Sequence, residues 1–165
     1  MAKIINVSTG EVKVERGDAI LRSSAIGSCI CVVAYDGIGK LGGIAHILLP
    51  GKAPANEIAR SKYAADAIER MLKDIVGIGG VSGRLETCIV GAANVLNDDN
   101  DTVGKNNIQS VKKILFENNI PIRNESIGGN LRRGVALSLV DGTVYYTEGN
   151  DPEHVLWRFG VDGGK

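Results

Sequence analysis

Apolar and polar positions alternate at two different periods along this chain, and the change of period divides it into segments. Over the first fifty residues the runs are short and strand-like: IINVS and EVKVE on either side of Thr9-Gly10, AILRS before Ser24, then ICVVAY and GGIAHILLP. Pro50-Gly51 closes this section. From Asn56 to Val76 apolar residues recur at helical spacing, through Ala64, Ile68, Met71 and Ile75, with charged residues on the other faces. Asn56 is the expected N-cap and Gly77 the expected stop. A strand, TCIVGAANV, follows. A second helix is predicted over residues 106–118, with Ile108, Val111 and Leu115 buried and Pro121 beyond its end. IPIRNES, RGVALSLV and TVYYTE complete the pattern as strands, the last two joined by a turn at Asp141-Gly142. The pattern predicts an α/β sandwich built on a largely antiparallel sheet, with two main helices.

Composition narrows the class. At 165 residues with 44% hydrophobic content, residues 1–165 are expected to form a single domain burying roughly 70% of its unfolded surface. Lys and Arg number 19 and so do Asp and Glu, so nothing points to nucleic acid or an anionic membrane. No apolar run is long enough to span a bilayer and the start lacks a secretory h-region, which makes a soluble cytoplasmic protein the expectation. The three cysteines are then expected as free thiols. Cys29 and Cys31 are the one close pair, no second pair stands at ligand spacing, and neither a metal nor a cofactor is expected.

The candidate chemistry lies in GSCICVVAYDGIGKLGGIAH, which places Cys29 and His46 on two strands joined near Gly37-Ile38. A two-residue type II′ turn there opposes residues whose numbers sum to 75, pairing Val32 with Gly43 and Cys29 with His46. Opposed side chains stand about 4.5–5.5 Å apart at Cβ, close enough for a thiol and an imidazole to interact. A neighbouring imidazolium would lower the thiol pKa. Backbone N–H groups of the loop at Gly27 and Ser28 would serve as oxyanion donors, and Ser23 on the preceding strand would orient the histidine. Gly42 and Gly43 would leave room for a substrate side chain. Cys31 and Cys88 read as core, His154 as a surface residue, and Arg132 and Arg133 as a solvated edge strand. Gly37-x-Gly39-x-x-Gly42 matches a dinucleotide fingerprint by letters alone, because a strand follows where that fingerprint needs a helix.

GSC, then GGIAHILLP, then Lys62-Tyr63-Ala64-Ala65-Asp66-Ala67 together resemble the CheD family of chemoreceptor glutamine deamidases. Gly91-Ala92-Ala93-Asn94 and Gly128-Gly129-Asn130 fall where that family has its GGA and GGN segments. The resemblance runs from about Ser8 to Tyr146. It implies a protein-glutamine glutaminase with Cys29 as nucleophile and His46 as general acid and base. Ser23 stands where the family usually has threonine. It further implies receptor cytoplasmic domains as substrate and the phosphatase CheC as a partner. Two rival readings stay open: a regulatory partner of CheC with little catalysis of its own, and a receptor methylesterase, since thioester chemistry accepts esters as well as amides.

Overall fold

A computed structural model describes residues 1–160 and resolves the alternating pattern into two five-stranded sheets and two helices. The strands are β1 (Lys3–Asn6), β2 (Val12–Arg16), β3 (Ala19–Ile26), β4 (Ile30–Asp36), β5 (Leu41–Ile47), β6 (Glu86–Gly91), β7 (Ile122–Ile127), β8 (Arg133–Ser138), β9 (Thr143–Glu148) and β10 (His154–Arg158). The helices are α1 (Ala64–Gly77) and α2 (Val103–Glu117). One sheet has the order β1-β3-β8-β9-β10 and the other β2-β5-β4-β6-β7. Only β1 with β3 and β6 with β7 run parallel, so the α/β sandwich is largely antiparallel, as its short connections require.

The sheets stack face to face, and both helices cover the outer face of the second. Strand β4 is buried along its whole length because each of its faces meets a different layer. Ile30, Val32 and Ala34 point to the helices, where they meet Ala64, Ile68, Met71 and Ile75 of α1 and Val111 and Leu115 of α2. Cys31, Val33 and Tyr35 point to the other sheet, toward Leu21, Val135, Leu137 and Val144. A strand buried on both faces has no alternation left to read, which is why ICVVAY is a continuous apolar run.

The helix predicted from Asn56 begins at Ala64 instead. Tyr63 is extended (φ −99°, ψ 141°) and bridges Leu49, and residues 53–60 form a loop tied to Asp66 through Ala53 N–H and the Arg60 guanidinium. The turn between β4 and β5 also differs from expectation. It spans Gly37–Lys40, with Asp36 opposite Leu41, so paired numbers sum to 77 rather than 75. The cause is Asp36: its buried carboxylate accepts from the N–H groups of Ile38 and Gly39, from Val81 N–H and from Arg84. These bonds favour a four-residue turn with Lys40 at φ 49°, and Gly37 is not in the positive-φ state that a type II′ turn needs. The glycines expected to leave room do not: a Cβ on Gly42 would meet Ala34 O and Leu137, and one on Gly43 would meet Val14 and Met71. Arg133 is no edge residue either. Strand β8 lies between β3 and β9, and Arg133 is buried there.

Candidate active site

Shifting the register by two keeps every side chain on its predicted face but changes the neighbours. Cys31, not Cys29, is directly opposite His46. Cys29 precedes β4 on the same inter-sheet side, so it is diagonal to the histidine, a placement with backbones roughly 7–8 Å apart. Exposure separates the two thiols. Cys31 and Cys88 are fully buried, and loss of solvation pushes both up to about 12, so neither ionises near neutrality. Cys29 is half-buried, with its thiol raised above 9.0 for the same reason. It alone of the three has surface that a substrate can reach.

His46 lies in β5 between β2 and β4 and is 1% exposed. Ser23, on β3 of the other sheet, meets it: the Ser23 hydroxyl stands 2.7 Å from His46 Nδ1 and 2.6 Å from the Val7 carbonyl oxygen. A carbonyl can only accept, so the one hydroxyl proton of Ser23 goes to Val7. Ser23 Oγ must then accept from Nδ1–H, which leaves Nε2 as the unprotonated, basic nitrogen. Nε2 is buried and has no partner among the described residues. Burial lowers the His46 pKa below 6.5, and the Val7 carbonyl opposes this only in part. Burial thus shifts the pair toward a neutral thiol and a neutral imidazole, away from the thiolate–imidazolium expected from the inferred strand pairing.

Local backbone devices deliver the thiol. A β-bulge between Ser23 and Ile26, with Ala25 at φ 54°, returns Ile26 to the interior and turns the chain into Gly27-Ser28-Cys29. All three carbonyls of that loop are engaged inward: Gly27 O by Ala93 N–H at 2.8 Å, Ser28 O by Asn107 Nδ2 at 2.9 Å, and Cys29 O by Ala92 N–H at 2.6 Å. The N–H groups of Gly27, Ser28 and Cys29 donate to no backbone carbonyl among the described residues, and the Cys29 N–H faces its own thiol. Gly91 (φ 122°) and Ala92 (φ 57°) form the facing turn. The Gly128-Gly129 pair closes it, with Gly128 N–H on Gly91 O and Asn94 N–H on Gly129 O. Arg133 holds this last loop through the carbonyls of Gly128 and Leu131 and the Ser126 hydroxyl, and it pairs with Glu148. Three motifs distant in sequence thus meet at one end of the second sheet.

The family model described as CheD chemotactic sensory transduction matches residues 48–148. The chain belongs to the CheD family. A CheD relative from Chlorobium luteolum, named a probable chemoreceptor glutamine deamidase, is 37% identical over 92% of this chain and 76% of its own length. One from Halalkalibacterium halodurans, named chemoreceptor glutamine deamidase, is 33% identical over 84% of this chain and 89% of its own. A third, from Methanococcus vannielii, is 32% identical over 92% and 99%.

Asn107 and Arg133 escaped the reading of the sequence as site-forming residues. Asn107 was detectable as a polar residue on the apolar stripe of α2, where Gly104, Asn107, Val111 and Leu115 are the buried positions. Arg133 carried no such signal. Among the described residues no three His, Cys, Asp or Glu side chains cluster to hold a metal, and no helix is long and apolar enough to cross a membrane.

Proposed function

We propose that this CheD protein is a cysteine-dependent glutamine deamidase that acts on the cytoplasmic domains of chemoreceptors, converting glutamine to glutamate with release of ammonia. The observation that carries this reading is the Ser23–His46 pair, with Nε2 free, on the face shared with the one accessible thiol. The names of the relatives support the amidohydrolase class and the receptor substrate.

The Cys29 sulfur attacks the carboxamide carbon while His46 Nε2 takes the thiol proton, which suits a pair that is neutral at rest. The negative charge that develops on the amide oxygen meets the N–H groups of Ser28 and Cys29, which no backbone carbonyl occupies. The C–N bond breaks as Nε2–H protonates the nitrogen, and ammonia leaves a thioester. Water then gives a proton to Nε2, attacks the thioester carbonyl, and the thiolate leaves and recovers that proton. Ser23 holds the tautomer throughout. No cofactor enters the sequence of steps.

The test is ammonia release from receptor peptides containing glutamine. Cys29→Ala is expected to be inactive with an unchanged unfolding temperature, and Cys31→Ala to keep activity; an active Cys29→Ala protein would sink the proposal. The family resemblance further implies a phosphatase partner of the CheC type. Binding of that partner is expected to survive Cys29→Ala. A cytoplasmic location follows from the proposed substrate.

A further inference from the structure

We propose that Asn107 is the positioning residue that aims the oxyanion pocket, an inference that rests on the deamidase reading for its substrate but not for its geometry. Asn107 is completely buried in α2. Its Nδ2 donates to Ser28 O at 2.9 Å and to Leu48 O at 3.1 Å. Both partners are carbonyls, so the nitrogen end of the amide must face them. One NH₂ group thereby ties the residue before Cys29 to the residue two beyond His46.

The consequence follows from peptide geometry. In a trans peptide the C=O of one residue and the N–H of the next point in opposite directions. With Ser28 C=O drawn into α2 by Asn107, the Cys29 N–H is turned away from the helix, toward the side of its own thiol. Gly27 C=O is held by Ala93 N–H, which points the Ser28 N–H away from Ala93. The helix is seated for this task one turn earlier, where Gly104 lies so close to Ala92 that a Cβ would stand 2.8 Å from Ala92 O. Ala92 is the residue whose N–H holds Cys29 O. The amide oxygen of Asn107, by contrast, is buried without a partner. An apolar side chain would spare that oxygen but take the donor from the carbonyls of Ser28 and Leu48, so what the amide contributes here is the tie between those two residues.

Two thiol reactions separate this role from a structural one. Alkylation by iodoacetamide needs the thiol and its base but generates no oxyanion; acylation by p-nitrophenyl acetate needs all three. In Asn107→Leu, alkylation of Cys29 is expected within about threefold of the parent, while acylation falls by roughly 10², the scale of losing an oxyanion donor. Asn107→Ala, which leaves a void rather than a new shape, is expected to show the same split. Equal loss in both reactions, no loss in either, or failure of both variants to fold each overturns the assignment. If the parent releases no ammonia from receptor glutamine peptides yet the split is seen, the deamidase reading falls and Asn107 stands. If the parent deamidates and Asn107→Leu deamidates equally well, the reverse holds.

Discussion

Replacing Ser23 with alanine removes one oxygen and strands two buried groups, Nδ1–H of His46 and the carbonyl of Val7. A buried group left without a partner costs about 1–3 kcal/mol. The ring has one way to recover part of this: by swinging toward Val7, Nδ1–H can donate to the carbonyl directly. The net loss is then about 1–3 kcal/mol rather than the doubled figure. At roughly 2–4 °C per kcal/mol for a chain of this size, the unfolding temperature should drop by about 2–12 °C. The same swing moves Nε2 off its line, so activity should suffer more than stability. A well-placed general base contributes about 10²–10⁴-fold, and misalignment should forfeit at least 10-fold of that in kcat. Ser23→Thr keeps the oxygen and should stay within about threefold of the parent. The assay is ammonia release alongside thermal unfolding. A Ser23→Ala protein with normal kcat would refute the reasoning, whatever its stability.

Three further outcomes follow from burial and packing. Because burial holds His46 below 6.5 and Cys29 above 9.0, kcat/KM should rise with pH through one ionisation below 6.5 and then stay level past neutrality, with the midpoint of thiolate absorbance at 240 nm lying above 9.0; substantial thiolate absorbance at pH 7 would contradict the neutral pair. The unfolded chain binds a proton near 6.5 that native His46 resists, so stability should also decline as pH falls through that value, measurable by urea unfolding. Gly104→Ala gains about 1 kcal/mol in helix propensity but forces a Cβ to 2.8 Å from the Ala92 carbonyl oxygen, where overpacking costs about 1–3 kcal/mol; net destabilisation with reduced kcat is expected, and a more stable protein would show that the contact yields.

The elements were legible wherever one physical signal dominated. Helix α2 follows its apolar stripe, and strand parity puts Cys29 and His46 on one face, which the observed register preserves, while Ser23 meets that face from the other sheet. The pairing within that face was not legible. It depends on Asp36 accepting from Val81 and Arg84, some 45 residues away, and no local turn rule contains those partners. The start of α1 failed similarly: its periodicity extends back to Asn56, but the Leu49–Tyr63 bridge holds the chain extended until Ala64. Strand β10 and the burial of Arg133 also arise from tertiary partners. β10 pairs with β9 across a bulge, and Arg133 is drawn inside by the carbonyls of Gly128 and Leu131. The neutral thiol and imidazole belong to this class too, since depth below the surface cannot be counted from the chain.

Ser23 and His46 belong to different sheets, and the bond between them crosses the seam where those sheets meet. That makes the site a sensor of its own assembly. While the two layers remain apart, during synthesis or after partial unfolding, the histidine has no fixed tautomer and the thiol has no competent base. Under the proposed mechanism a chain whose sheets have not met lacks the Ser23–His46 bond, so competence for chemistry is acquired only with the last layer of packing.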